Sequence, residues 1–172
     1  MTREMPQQPF AEALARLHAA MAKVANGDVS AIKALYAHSD DATSFFGWGG
    51  YEKGWDAVSQ RWDWAGRQFK GGAVSYVNVT AVVTAELAYT TDIETFRVRM
   101  EGLDRPTHWS NRVTHIFRLV GGEWRLLHRH ANRLEERYEP ATRLAPAGGA
   151  GLRRPRRRRG GVEQALRHEV RP

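Results

Sequence analysis

Two histidines stand one residue apart near the end of an apolar run, in the stretch "EWRLLHRHANR" at residues 123–133. If this stretch is a β-strand, His128 and His130 point to the same face, because side chains alternate along a strand. Imidazole is a common metal ligand and the usual general base near neutral pH. Three interpretations are open: a metal site, an acid–base site, or polar filling of a crowded core.

The elements that must position these histidines follow from the periodicity of the apolar residues. Three N-terminal stretches place apolar side chains three or four residues apart, as helices do. Later stretches are apolar or alternating, and short or glycine-containing turns separate them. We therefore predict an α+β domain with N-terminal helices packed on one face of a curved antiparallel sheet. The predicted helices lie in 10–25, 27–37 and 52–72, a short strand in 42–50, and long strands at 73–84, 86–100, 109–120 and 123–131.

The turns between the long strands set which side chains lie opposite each other. Two-residue turns near residues 85 and 121, and a longer loop at 101–108, define three hairpins. The predicted cross-strand pairs are His128–His115, Glu94–His115, Asp92–Phe117, Val79–Asp92 and Val77–Glu94.

This register separates two faces of the sheet. One face is mostly apolar and is predicted to face the helices, and the other is rich in arginine. A slip by one residue would bury the arginines, which supports the pairing. The first face includes Val77, Val79, Ala81, Phe96, Val113, Phe117, Leu119, Trp124 and Leu126; the second includes Tyr76, Arg97, Arg99, Arg112, Arg118, Arg125 and Arg129.

Five ionisable side chains also fall on the predicted apolar face: Asp92, Glu94, His115, His128 and His130. Burying such groups is costly unless they are paired, hydrogen-bonded or wet. A mostly apolar concavity with a few converging polar groups is the usual form of a small-molecule site. We therefore predict a pocket between sheet and helices, with Glu94 and the three histidines as candidate catalytic residues and Asp92 as a ligand contact.

Aromatic side chains complete the predicted ligand site. Phe96 and Phe117 lie on the same face as the ionisable group and are expected to contact the ligand. Trp48 and Tyr51 flank the pair of glycines at 49–50, where a flexible loop can form the mouth of a pocket.

The predicted cluster is compatible with more than one kind of site. A histidine oriented by a carboxylate moves protons at neutral pH, so Glu94 is expected to orient His115 while His128 or His130 faces the ligand. The alternative is a polar network that shapes a binding pocket without catalysis. Three imidazoles and a carboxylate also provide enough ligands for zinc. We predict neither a metal nor another cofactor.

The net charge of +7 is confined to one end of the 172-residue chain. Residues 140–172 hold nine arginines and two glutamates, whereas residues 1–139 hold 17 basic and 17 acidic side chains. The predicted division is thus a folded domain at 1–139 and an Arg/Pro/Gly-rich, disordered tail at 140–172. A neutral domain lacks the electrostatic footprint of a nucleic-acid-binding protein, so any nucleic-acid contact is expected from the tail alone. The lack of cysteine and of a long apolar run favours a cytoplasmic protein without membrane contact.

Four stretches of the chain resemble the SnoaL-like family of the nuclear transport factor 2-like superfamily. They are "GGYEKGWDAVSQRWDW", "AELAYTTDIETF", "RVTHIFRL" and "GEWRLLHRHANRL", and the resemblance covers roughly residues 8–136. It implies a cone-shaped α+β fold with a pocket between helices and sheet, and commonly a homodimer through the outer sheet face. Many relatives carry aspartate where this chain has Asn132, so a role of that acid is lost or altered here.

The superfamily includes ketosteroid isomerases, polyketide cyclases and scytalone dehydratase, and one fold can support many reactions. The resemblance implies an isomerase, dehydratase or cyclase that acts on a small hydrophobic or oxygenated molecule through His/Glu acid–base chemistry. The alternative is a non-catalytic ligand-binding or dimeric association module.

Overall fold

The structure is a computed structural model that describes residues 9–135. The predicted order of helices followed by long strands is confirmed. The predicted boundary at residue 140 and the Arg-rich tail lie outside the described residues. The helices are α1 Phe10–Val24, α2 Ser30–Leu35 and α3 Trp55–Gln68; the strands are β1 Thr43–Phe45, β2 Tyr51–Lys53, β3 Phe69–Val83, β4 Leu87–Met100, β5 Thr107–Val120 and β6 Glu123–Arg133.

The strands form one six-stranded sheet in the order β2-β1-β6-β5-β4-β3. The four long strands pair antiparallel, as predicted. The short strand β1 adds to the edge of β6 in parallel, so the sheet is mixed, and β2 extends it further. The sheet is curved and does not close into a barrel, and the predicted α+β fold class is confirmed.

The helices cover one face of this sheet and form the core with it. Leu17 and Met21 of α1 and Trp62 of α3 are fully buried. Phe10, at the start of α1, packs edge-on against Phe117 and Trp124, with ring centroids 5.2 and 5.5 Å apart. No helix among residues 9–135 is both long and apolar enough to cross a lipid bilayer.

The third helix ends earlier than its sequence predicts. Gly71 and Gly72 are not its terminators but lie inside β3, which begins at Phe69. Gly72 has a φ of 140°, and a Cβ atom there would lie 2.3 Å from the carbonyl oxygen of Arg97. The second glycine therefore permits close contact between β3 and β4 rather than stopping a helix.

A β-bulge in β6 changes the predicted position of the histidine pair. The pairing of Leu126 with Phe117 is as predicted, but Leu127 is then an extra residue, and His128 lies opposite Ile116 instead of His115. An extra residue reverses the alternation of side chains beyond it. The predictions that His128 and His130 lie on the inner face are therefore wrong.

The same bulge turns Arg129 inward. Its predicted place on the outer face is wrong, since it lies opposite His115 and is 1% exposed. His128 and His130 share the outer face of the sheet with Phe45 of β1.

A second bulge lies in β3 at Val79. The predicted register holds for Val83 and Ala81, but beyond the bulge Asn78 lies opposite Asp92 and Tyr76 opposite Glu94. The predicted pairs of Val79 with Asp92 and of Val77 with Glu94 are therefore wrong. Val77 and Val79 are 66% and 62% exposed rather than in the core, and Tyr76 occupies the inner face instead.

The middle hairpin is offset without reversing its faces. Glu94 lies opposite Asn111 rather than His115, and His115 lies opposite Thr90. The offset is four residues, an even number, so each side chain keeps its predicted side of the sheet. Asp92, Glu94 and His115 are accordingly all buried on the inner face.

Candidate functional site

The inner face holds a fully buried ion pair that joins β4 to β6 across the intervening strand β5. Arg129 Nη2 donates to Glu94 Oε2 at 2.6 Å, and the two side chains are 1% and 0% exposed. Tyr76 Oη donates to the other oxygen, Oε1, at 2.5 Å, and Asn111 Nδ2 donates to Oε2 at 3.0 Å. Tyr76 and Asn111 reach Glu94 because they are its cross-strand partners on β3 and β5.

These contacts keep Glu94 ionised. Burial opposes its charge, but the guanidinium of Arg129 and the hydrogen bonds from Tyr76 and Asn111 together hold its pKa below the usual value. Burial and the nearby carboxylate raise the pKa of Tyr76 well above its usual value. The phenol therefore remains a hydrogen-bond donor.

A second buried pair joins Asp92 to His115. His115 Nδ1 lies 3.2 Å from Asp92 Oδ2, and both side chains are fully buried. Thr90 Oγ1 donates to the same carboxylate oxygen at 2.7 Å, and Asn78 Nδ2 donates to Oδ1 at 2.8 Å. Burial opposes the charge on Asp92, but the hydrogen bonds from His115, Asn78 and Thr90 outweigh it and lower its pKa.

The hydrogen bonding assigns the tautomer of His115. Burial lowers its pKa, and the hydrogen bond to Asp92 opposes this shift only in part, so the ring is neutral at neutral pH. An ionised Asp92 accepts the proton carried on Nδ1, which leaves the lone pair on Nε2. A histidine held in this way presents Nε2 as a base, and the carboxylate stabilises the imidazolium that proton uptake creates.

Several polar atoms beside these pairs are buried without a hydrogen-bond partner among the described residues. They belong to side chains with large desolvation costs, and buried polar atoms are normally satisfied by protein, ligand or water. His18 of α1 adds a further imidazole, stacked on Tyr76 with centroids 4.1 Å apart. These unpartnered atoms include His115 Nε2, Asn111 Oδ1, Arg129 Nε and Nη1, and His18 Nε2.

The structure brings together only part of the predicted catalytic set. Glu94, His115 and Asp92 lie on the inner face, but Asp92 rather than Glu94 orients His115. Phe96 and Phe117 are fully buried parts of the hydrophobic core.

The predicted aromatic mouth is not assembled around this group. Tyr51 is exposed on β2 and packs against Phe45, on the outer side of the sheet. Trp48 is half-buried and stacks on Phe46, with centroids 4.9 Å apart. Neither aromatic belongs to the cluster of unpartnered atoms beside His115.

The histidine pair forms a separate group on the outer face. His128 Nδ1 lies 2.8 Å from Thr43 Oγ1, and the His128 and His130 ring centroids are 6.1 Å apart. Burial and the neighbouring His130 lower the pKa of His128. Within residues 9–135, no three His, Cys, Asp or Glu side chains are grouped to hold a metal ion.

Two of the surface concavities formed by residues 9–135 have neither Glu94 nor His115 in their lining. One, of about 290 Å³, runs from Asp92 and Val113 to Arg112 and His130. The other, of about 440 Å³, lies at the end of the sheet between His38 and Arg125.

Sequence reasoning missed several inner residues, and for three of them the reason is identifiable. Tyr76 and Arg129 are displaced from the expected face by the bulges in β3 and β6. His18 follows Leu17 and precedes Met21 by three residues, so it borders the apolar seam of α1. That position was a detectable signal, because a histidine beside a helix seam can face the sheet.

Helices on one face of a curved sheet, with polar side chains between the layers, define an α+β cone. The chain belongs to the SnoaL-like domain family, whose sequence model matches residues 11–132. No curated protein sequence matches the chain.

Solved structures agree on the fold. A nuclear transport factor 2-like superfamily protein from Salmonella enterica serovar Typhimurium is 15% identical, with a TM-score of 0.63, over 78% of this chain and 94% of that one. A candidate scytalone dehydratase from Novosphingobium aromaticivorans is 16% identical, with a TM-score of 0.62, over 83% and 95%. A candidate calcium/calmodulin-dependent protein kinase type II association domain from Thiobacillus denitrificans is 17% identical, with a TM-score of 0.60, over 77% and 100%. Such low identities establish the fold alone.

Proposed function

We propose that this domain binds a small oxygenated molecule beside His115 and moves a proton on it. One observation carries the proposal: Asp92 orients a buried, neutral His115 whose Nε2 atom has no partner among residues 9–135. This geometry is typical of a general base, because the lone pair on Nε2 is free to accept a proton from a bound substrate. The same chemistry serves isomerisation, dehydration and cyclisation, and the SnoaL-like fold supports this class of reaction.

In this mechanism His115 Nε2 takes a proton from the bound molecule and later returns it to another atom. Asp92 remains ionised and stabilises the imidazolium between the two transfers. The buried setting strengthens this stabilisation, because charges interact more strongly away from water. The cycle leaves the protein unchanged and needs no cofactor.

The ligand reaches His115, we infer, between α1 and β3. His18 and Tyr76 are only half-buried there, and Asn78 beside them is exposed. Separating the stacked rings of His18 and Tyr76 opens a path to the inner face. Movements of this kind that close after binding keep water from the reacting groups.

The first test is to identify what the purified domain binds. Native mass spectrometry of the wild-type protein is expected to show a bound small molecule. A crystal structure of that complex is expected to place a polar atom of the ligand at hydrogen-bond distance from His115 Nε2, about 2.6–3.2 Å. A ligand bound only on the outer face, or water alone beside His115, contradicts the proposal.

A second candidate function is self-association through the outer sheet face. Val82 and its cross-strand partner Tyr89 are 39% and 41% exposed on this face, and Val77, further along β3, is 66% exposed. Contiguous exposed apolar side chains mark interaction sites. In this form the protein is a cytoplasmic homodimer, with or without catalysis in the interior.

Sedimentation velocity tests the association. The wild type is expected to sediment as a dimer, and Tyr89→Lys as a monomer, because a charge at the centre of an apolar interface is costly to bury. Leu103→Lys is the matched control, since Leu103 is similarly exposed but lies in the loop between β4 and β5. A monomeric wild type, or an equal effect of both substitutions, excludes this interface.

A further inference from the structure

The guanidinium of Arg129 has more hydrogen-bond donors than its protein surroundings use. Nη2 donates to Glu94, but Nε and Nη1 are buried without a partner among the described residues. Trp62 lies against the group, with its ring centroid 5.7 Å from Arg129 Cζ, and supplies no acceptor oxygen. A buried donor without an acceptor destabilises the fold by about 1–3 kcal/mol. We therefore expect Nε and Nη1 to bind acceptor atoms that do not belong to the described residues.

The charges around Arg129 restrict what those acceptors can be. Glu94 and Asp92 are both ionised, whereas His115 is neutral, so the inner face carries two carboxylates against one guanidinium. A carboxylate ligand would add a third negative charge where solvent screening is weak. A neutral carbonyl oxygen accepts the same hydrogen bonds without that repulsion.

Two further unpartnered atoms on the inner face require a hydrogen-bond donor instead. Asn111 Oδ1 and His115 Nε2 both accept hydrogen bonds, and both are buried without a donor among residues 9–135. His115 is the cross-strand neighbour of Arg129, so acceptor and donor groups lie side by side on the inner face. A ligand that satisfies both carries a carbonyl oxygen and, close to it, an O–H or N–H group.

We propose that Arg129 and Glu94 act together as the specificity-determining pair of this site. Arg129 donates one of its two unpartnered groups, Nε–H or Nη1–H, to the carbonyl oxygen of a neutral ligand, while Glu94 cancels the charge that would otherwise attract carboxylates. The inference rests on the proposed small-molecule site at His115. It narrows the ligand to a neutral carbonyl compound with an adjacent hydrogen-bond donor.

Benzamide and benzoate form a matched pair of probes, because they have the same shape but only benzamide is neutral and carries an N–H donor. Isothermal titration calorimetry of the full chain at pH 7 is expected to give a dissociation constant for benzamide that is lower than that for benzoate by about tenfold or more. Glu94→Gln keeps the side-chain shape but removes one negative charge, and is expected to shift the ratio of affinities towards benzoate by about tenfold or more. Glu123→Gln, in the exposed pair with Arg125, is the control and should leave the ratio unchanged.

Asp92→Asn makes the same change of charge while leaving the Arg129–Glu94 pair intact, so it replaces Glu94→Gln if that variant does not fold. Tighter binding of benzoate to the wild type, or an unchanged ratio in the folded variant, overturns the specificity inference alone. Absence of saturable binding by both probes overturns the proposed ligand site as well, so the two failures are distinguishable.

Discussion

Replacing Glu94 with alanine is expected to lower the free energy of unfolding by about 3–5 kcal/mol, because it leaves the Arg129 guanidinium buried without its counter-charge. Tyr76 and Asn111 lose their acceptor in the same step. Urea denaturation of wild type and variant, followed by circular dichroism, measures the difference. The effect is large compared with a marginal total stability of about 5–15 kcal/mol, so the variant is expected to unfold at low urea concentrations.

The chain contains a matched control for this experiment. Glu123 and Arg125 form an ion pair with an N–O distance of 2.5 Å, close to the 2.6 Å of the Glu94–Arg129 pair. The side chains of Glu123 and Arg125, however, are both exposed. Glu123→Ala is expected to change stability by at most about 1 kcal/mol. The double change Glu94→Leu with Arg129→Met should recover most of the stability lost in Glu94→Ala, since it removes both buried charges. Equal effects of Glu94→Ala and Glu123→Ala would show that burial does not set the strength of the interior pair.

Replacing His115 with glutamine is expected to lower turnover of the substrate by about 10²–10⁴-fold, the usual contribution of a general base. Glutamine keeps a polar side chain of similar reach but takes up no proton. The measurement is kcat of wild type and variant on the compound identified by mass spectrometry. His130→Gln is the control and should retain wild-type turnover, because His130 lies on the outer face.

The pH profile separates a base from a structural histidine. Burial lowers the pKa of His115, so its unprotonated, active form is present at neutral pH. Wild-type turnover should therefore fall only as the pH drops below the usual histidine range, and His115→Gln should lose this limb. Unchanged kcat in His115→Gln, or the same acid limb in both proteins, removes His115 from the mechanism.

The features that the sequence predicted correctly depend on local pattern. The three helices follow from apolar spacing, and the turn at residues 121–122 follows from two glycines. Asp92, Glu94 and His115 reached the inner face as predicted, although their partners differ, because an even offset preserves side-chain direction.

The features that the sequence did not predict depend on single inserted residues. Leu127 and Val79 each add one residue to a strand, and each reverses the alternation that places side chains in or out. Neither residue has a local signature of a bulge, such as glycine. Tertiary packing selects the bulges, since they bring Arg129 and Tyr76 to the carboxylate of Glu94, which Asn111 alone would otherwise contact.

The central claim is that Asp92 holds His115 as a neutral ring with a free base at Nε2. Nitrogen-15 NMR of uniformly labelled protein at pH 7 tests it directly, because the two ring nitrogens have distinct chemical shifts in each tautomer and in the imidazolium. The prediction is a His115 ring protonated at Nδ1 only in the wild type. In Asp92→Asn the ring should no longer be held in this Nδ1–H tautomer. A ring protonated at Nε2, or an imidazolium at neutral pH, would contradict the assignment of His115 as the base.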